Sequence, residues 1–311
     1  MIGTRLINMF DILVAGEINP DLILTGDVVP AFNQVEKLVD SASLAIGSSS
    51  AIFACGAARL GLKVAFIGIC GDDIFGRFMI DEMEKHKIFT DRVIVQKNGH
   101  TGLSVILNKK NDRAILTYPG LIGALSAEII PDDLLNQCKH LHVASYFLQT
   151  AIQPGLPNLF ERAHRLGLTT SLDTNYDPTE TWVGLEELLP LTNVFLPNEK
   201  EILSITRATN VESAIKILSK KTETIAVKLG AQGALAYDQM NRIQTSTLLV
   251  DVIDTVGAGD SFDAGFIYGY LNRWPITKSL RLGCVCGGLS TQQIGGTAGQ
   301  PTLLEAMKYV P

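Results

Sequence analysis

What the chain lacks sets its limits first. No uninterrupted apolar segment is long enough to cross a bilayer, and the apolar run near the N-terminus is broken by Asp11 with no small-residue cleavage site behind it. Neither a membrane anchor nor a signal peptide is expected. Residues 1–8, ahead of Met9, read as an extension or as the lead-in to an alternative start. Cysteine is scarce: Cys55, Cys70, Cys138, Cys284 and Cys286 make an odd set of five, and Cys284-Val285-Cys286 has no second Cys or His cluster to complete a metal site. These thiols read as small buried hydrophobes in a reducing cytosol, so a cytoplasmic protein is expected. A basic excess is missing too. With 26 Lys and Arg against 32 Asp and Glu, the net charge of −6 argues against nucleic acid or an anionic membrane as partner. No internal repeat, low-complexity tract or linker divides the 311 residues. No Gly-x-Gly-x-x-Gly follows the first strand-like run, which speaks against a nicotinamide dehydrogenase.

The most informative stretch present is Asp254 to Phe266, Asp-Thr-Val-Gly-Ala-Gly-Asp-Ser-Phe-Asp-Ala-Gly-Phe. An apolar run over 247–253 leads into it, and Phe262, Phe266, Ile267, Tyr270 and Leu271 follow at helical spacing, so it reads as a turn opening a helix. Gly257 and Gly259 on either side of Ala258 allow a tight bend, and the leading amides of a helix have no intrahelical partner and sit at the positive end of its dipole. Such a turn attracts phosphate or a developing anion. Asp260 stands beside it and is expected to stay ionised at neutral pH, held by those donors. The pairing suggests a general base next to an anion hole formed by the amides of Gly257, Ala258 and Gly259. A plain Gly-rich helix start with an N-terminal Asp is the alternative.

Along the chain, short apolar strands alternate with helices. Residues 10–16, 64–69, 141–144, 168–172, 194–196 and 225–229 read as strands, and 47–61 and 159–165 as helices, the pattern of a doubly wound, mostly parallel α/β sheet. Residues 22–46, and a hairpin from 101–107 and 113–118 turning near 109–112, read instead as a small β element. Residues 283–299 are small and Gly-rich, too loose to place a helix end. Ligands of open α/β sheets gather at the carboxyl ends of strands. Asn19 and Asp21 there suit a hydroxyl-rich molecule, or form an ordinary Asn-Pro turn. Ser48 to Ser50 suit substrate or a helix N-cap. Asp173 and Asn175 line a site or cap a turn. Asn198 and Glu201, three apart at a helix start, hold water around a hard cation or form a capping box. Gly230 and Gly233 flank a loop after Lys228, which could reach a phosphate; a hairpin turn needs the same glycines.

These motifs, in this order, resemble the PfkB/ribokinase family of carbohydrate kinases over nearly the whole chain. Asp254 to Gly265 is similar to the family's second signature. Ala57-Ala58-Arg59-Leu60-Gly61 and Gly71-Asp72-Asp73-Ile74-Phe75-Gly76 are similar to its first. The resemblance implies a ribokinase-like domain over 1–311, with a β-sheet lid from about 19–46 and 99–120 that often serves dimerisation. It implies an ATP-dependent kinase acting on a hydroxymethyl group of a sugar, with Asp260 as base and Asn19, Asp21, Gly47, Ser48, Asp173 and Asn175 toward the acceptor. Lys228, Gly230, Gly233, Thr255 and Asn198 fall toward the nucleotide, and Asn198 and Glu201 toward water-bound Mg²⁺. A monovalent cation such as K⁺ is implied at Asp254, Val256, Gly295 and Gly299. The sequence departs from the pattern at three points. Ser48 replaces a glycine, Ile52, or Ala51 in a register one residue earlier, stands where the family has a sugar-touching Asn, and Asp177 replaces the Arg of an Asp-x-Asn-x-Arg-Pro segment, which would reverse the local charge. A nucleoside kinase of the same fold and a catalytically silent sugar or nucleotide sensor are the rival readings.

Overall fold

Ile12–Ala15 (β1) is buried at all four residues, as a strand covered by helices on both faces must be. In this computed structural model residues 9–109 and 112–311 are described. The 1–8 segment read as an extension, and residues 110 and 111 at the expected hairpin turn, lie outside them. After β1 come Pro20–Thr25 (β2), Ser41–Ile46 (β3), the helix Ser49–Arg59 (α1), Val64–Ile67 (β4), Ile69–Gly71 (β5), Ile74–Lys85 (α2) and Ile94–Gln96 (β6). Leu103–Lys109 (β7) and Asp112–Tyr118 (β8) form the hairpin, and the single turn Asp132–Leu135 (α3) precedes His140–Val143 (β9), Leu156–Arg165 (α4), Thr169–Leu172 (β10) and Val194–Phe195 (β11). Glu199–Thr206 (α5), Val211–Leu218 (α6), Thr224–Lys228 (β12), Ala234–Asp238 (β13) and Asn241–Thr245 (β14) follow, then Ala258–Leu271 (α7), Ile276–Ser290 (α8) and the short Leu303–Ala306 (α9).

The main sheet has the order β14-β13-β12-β11-β10-β9-β1-β4, parallel from β12 through β4 with an antiparallel edge at β13 and β14. From β1 the chain goes first to β4 on one side and later to β9 on the other, so the sheet reverses its winding at β1. A crevice opens outside the strand ends at such a point. Period-two alternation sorts the core: Leu13, Leu141, Leu172 and Ile225 pack with Phe160 and Phe195 on one face, and Ile12, Val14, Phe53, Phe66 and Phe266 on the other. Burying each such side chain is worth roughly 1.5–3 kcal/mol.

The smaller sheet, β3-β2-β7-β8, joins 19–46 to 99–120 through the parallel pairing of β2 with β7. Its two faces differ. The rows Ser43–Ile23–Ile106–Ile115 and Ala45–Asp21–Ser104–Thr117 share one face, and Leu44–Leu22–Val105–Leu116 and Ala42–Leu24–Leu107–Ala114 the other.

The apolar run 247–253 lies outside the regular elements, with Leu249 and Val252 exposed. One stretch departs from the sequence reading. The Gly-rich 283–299 contains the second half of a regular helix, because glycines on both α7 and α8 let the two press together: a Cβ at Gly265 of α7 would stand 2.9 Å from Leu282 O, and one at Gly287 of α8 2.9 Å from Ala258 O. Glycine there lets the two helices approach closely, and the packing outweighs its poor helix propensity.

Candidate active site

The chain leaving β1 delivers Glu17, Asn19 and Asp21, all buried. Gly47 makes room for Asp21, since a Cβ there would lie 2.2 Å from Asp21 Oδ1. Burial pushes the Asp21 carboxyl up to about 7, offset by Arg113 and reinforced by Asp254. Ser48, at φ 64°, caps α1 by accepting from Ala51 N at 3.0 Å while donating to Glu17 O at 2.7 Å. It also lines the cavity, so cap and lining roles coincide. The Glu17 carboxylate accepts from Ser50 N, Ser50 Oγ and Ser145 Oγ at 2.6–3.2 Å.

Across the crevice Gly257 opens α7 in the left-handed region, φ 70°, where a Cβ would stand 2.7 Å from Gly296 Cα and 2.9 Å from Ile52 Cγ2. Only glycine fits that turn. Among the described residues no side chain caps the terminus, and Ala258 N reaches Thr255 O only at 3.4 Å. Asp260 follows in the first turn, buried and lining the cavity. Its expected ionisation is corrected here: burial, then the neighbouring Asp173, push the carboxyl up to about 8, against the opposing pull of Lys228. Desolvation outweighs the helix terminus when like charges share the pocket.

Asp173 and Asn175 follow β10 at the floor. Asn175, at φ 52°, accepts from Ser145 N at 2.8 Å through Oδ1 and donates its backbone N–H to Asp173 Oδ1 at 3.2 Å. Lys228 Nζ is held 2.7 Å from Asp173 Oδ2 and 3.0 Å from Asp263 Oδ2. Carboxylate oxygens of Asp173, Asp260 and Asp263 all lie within 4.8 Å of one another, with the Lys228 ammonium as their counter-charge. Asp177 does not reverse the charge of the site. Its carboxylate turns back into its own loop and accepts from Thr179 N and Oγ1, Thr181 Oγ1 and Trp182 N.

Asn198 and Glu201 form the capping box at the start of α5 and also face the cavity. Burial, then Asp173, push Glu201 up to about 7. Asp254 accepts from Val256 N at 3.1 Å and Gly295 N at 2.9 Å, which draws the loop before α7 to the loop after α8. Gly299 sits against the Ser290 carbonyl, where a Cβ would meet it at 2.4 Å.

Two cavities meet at the helix terminus. One, about 630 Å³, is lined by Asn19, Asp21, Ser48, Asp173, Asn175, Asn198, Glu201, Gly257 and Asp260, and roofed by Arg113, Ile115 and Thr117 of β8. The other, about 430 Å³, has apolar walls from Leu248, Val250, Val252 and Phe262 and a glycine edge at Gly230 and Gly233. Lys228, Gly230, Thr255 and Gly259 line both. The second cavity suits a flat ring against its walls with an anionic chain toward Gly259. A larger cavity, about 720 Å³, opens at the amino ends of β10 and β12, far from these groups in the sheet. The sequence reading missed Glu17, Asp263 and Arg113, whose Nη1 donates to Thr255 Oγ1 at 3.2 Å. The signals were present: a lone acid ending an apolar strand, an acid one helical turn after Asp260, and the inward register of β8.

The sequence matches the family described as pfkB family carbohydrate kinase over residues 9–303. It is 30% identical to an uncharacterized sugar kinase of Archaeoglobus fulgidus over 79% of this chain and 98% of that protein. It is also 30% identical to a 5-dehydro-2-deoxygluconokinase of Geobacillus thermodenitrificans over 85% of this chain and 84% of that one. The crystal structure of a putative ribokinase II from E. coli, in complex with ATP and Mg²⁺, superposes with a TM-score of 0.86 at 22% identity, covering 96% of this chain and 98% of that one, so the fold is ribokinase-like. This chain belongs to the pfkB family of carbohydrate kinases.

Proposed function

We propose that the protein transfers the γ-phosphoryl group of ATP to a hydroxyl of a small carbohydrate. The observation that carries this reading is the place of Asp260, where the polar cavity meets the apolar, glycine-edged cleft beside an uncapped helix terminus. The acceptor lies in the polar cavity, with hydroxyls bonded by Asn19, Asp21 and Asn175. Asp260 takes the proton of the attacking hydroxyl, and the amides of the Gly257-Ala258-Gly259 turn hold the transferring group, since positioning and charge stabilisation carry most of phosphoryl transfer. Thr255, Gly230 and Gly233 border the nucleotide. Asn198 and Glu201 would hold water around Mg²⁺, which neutralises phosphate charge when bound; carboxylate and amide oxygens are the donors that ion prefers. Asp254, with the carbonyls of Val256, Gly295 and Gly299, is the place for a monovalent cation. The smaller sheet covers the acceptor as a lid, and its outward apolar rows pair with a second copy of the chain.

The test is turnover of a panel of neutral sugars, sugar acids and nucleosides with ADP detection, on wild type and Asp260→Asn. Wild type should phosphorylate a sugar, and the variant should lose about 10²- to 10⁴-fold in kcat. Near wild-type turnover in the variant would remove Asp260 from its role. Turnover of nucleosides alone would replace the acceptor class, and ligand binding without any ADP would make the protein a sensor.

A further inference from the structure

Beneath Asp260 lies a buried ion cluster that the roles above leave unused. Lys228 ends β12 with its side chain only 12% exposed, and Asp173 and Asp263 on either side of its ammonium are 1% exposed. Asp263 sits one turn along α7 from Asp260, so the Lys228 bridge ties the end of β10 to the first turns of the helix that carries the base and the anion hole. The same ammonium lies close to Gly259, at whose position a Cβ would stand 3.7 Å from Nζ. Asp260, Glu201 and the neutral, buried His142 are the other titratable groups facing Lys228. Asp173, Asp263, Glu17 and Lys228 itself are those facing Asp260.

Two roles are open to this ammonium. As a phosphate ligand it would swing toward the nucleotide, leaving Asp173 and Asp263 buried with no counter-charge. Breaking a buried pair by removing one partner is strongly destabilising, whereas a kept pair costs nothing further during turnover. The hydrogen bonds to both carboxylates also fix the rotamers of three side chains at once, as a rigid support requires.

Resting on the kinase reading, we propose that Lys228, clamped between Asp173 and Asp263, is a positioning residue that sets the first turn of α7 against the sheet and stays in that clamp through turnover instead of crossing to the phosphates of ATP. Asp263 then matters to the reaction although it touches neither acceptor nor nucleotide.

Steady-state kinetics with a sugar that wild type turns over, on Lys228→Met, Lys228→Arg and Asp263→Asn, separate the two roles. A clamp predicts that Asp263→Asn lowers kcat by about 10- to 100-fold, the scale of a small misplacement at the reacting centre, with KM for ATP within about threefold of wild type. Lys228→Met should lose kcat in the same way, Lys228→Arg should recover part of it, and the Lys228→Met/Asp263→Asn double variant should lose little more than Lys228→Met alone, because the groups act as one unit. A KM for ATP raised about tenfold or more in Lys228→Met at near wild-type kcat would overturn the proposal in favour of a phosphate ligand. Wild-type kcat in Asp263→Asn would overturn it as well. Should Lys228→Met fail to fold, Asp263→Asn, which keeps a hydrogen-bonding oxygen toward Lys228 and sheds one buried charge, decides the question alone. Asp260→Asn run in parallel distinguishes failure of the clamp from failure of the kinase reading, since only the latter leaves that variant active.

Discussion

Asp173, at the end of β10, and Asp260, in the first turn of α7, bring carboxylate oxygens within 4.8 Å of one another in a buried pocket. Two like charges at that separation resist joint ionisation, and burial followed by Asp173 holds the Asp260 carboxyl near about 8. A base acts only when deprotonated. The pH profile of kcat/KM should therefore rise about tenfold per unit below pH 8 and level above it, reporting the free enzyme. Asp173→Asn removes the like charge and leaves Lys228 to act on Asp260 unopposed by it, so the acid limb should move to lower pH whatever happens to the plateau. A limb that stays in place would show that Asp173 does not set the ionisation of the base.

The same raised carboxyl has a consequence for stability. A folded-state value above the ordinary 3.8 means that the native protein binds this proton more tightly than the unfolded chain does, so stability is lost as pH rises from about 4 through about 8. Asp260→Asn abolishes that loss. The variant should melt no lower than wild type at pH 9 although its turnover falls, a combination seen by thermal unfolding at pH 6 and pH 9.

How much of this was legible follows from what each signal depends on. The sheet strands and α1 were readable because buried strands are continuous apolar runs and a Ser N-cap is a local event. The Gly257 turn was readable because its left-handed backbone forces a residue type. The ionisation of Asp260 was not, because it depends on Asp173 and Lys228, which lie 87 and 32 positions away in the sequence and meet it only across the fold. Asp177 misled for a related reason: its place in the motif matches an Arg, but two threonine hydroxyls and two backbone amides that follow it supply enough donors to fold it into its own loop. The α8 glycines misled because propensity is a local quantity and helix packing is not.

Gly257→Ala tests the turn itself. A non-glycine residue in the left-handed region costs about 1–2 kcal/mol, and the new Cβ would lie 2.7 Å from Gly296 Cα, a backbone atom that cannot move aside cheaply. The unfolding free energy from urea titration should fall by at least that amount at unchanged m-value, and kcat should fall with it because the displaced amides belong to the anion hole. Equal stability of variant and wild type would show that the loop at Gly296 gives way.

The outward rows of the smaller sheet put Leu44 and Leu116 in one register line with Leu22 and Val105 between them, and both end residues are exposed, at 40% and 60%. An apolar sheet face left to water favours a self-complementary partner. Light scattering should give twice the 33.7 kDa chain mass for wild type and the single mass for Leu116→Glu, with far-UV dichroism unchanged. A wild type that elutes as a single chain at all concentrations would remove the pairing.

His140 and His142 alternate with Leu141 and Val143 along β9 and are wholly buried, linked through Ser171 Oγ at 2.7 Å to each ring, with His142 stacked 3.6 Å from Phe53. Burial holds His140 down at about 3 against an ordinary 6.5, and holds His142 well below its ordinary value, with His140 and Lys228 adding to the effect. A depressed histidine is neutral in the native state and takes a proton on unfolding. The stability it lends is complete above pH 6.5 and is lost as pH falls toward 3, at up to about 1.4 kcal/mol per pH unit for each ring and a total of roughly 5 kcal/mol for His140 as an upper bound. The raised carboxyls of Asp260, Asp21 and Glu201 act in the opposite sense over the same range, so the histidine part is read as a difference: in urea titrations between pH 7 and pH 4, His140→Gln, which cannot titrate, should lose up to one proton's worth of this slope relative to wild type, while lowering stability at pH 7 through the altered bonds to Thr169 and Ser171. An unchanged slope would mean that the ring already takes up its proton in the native protein, and that the sheet interior at β9 is open to water.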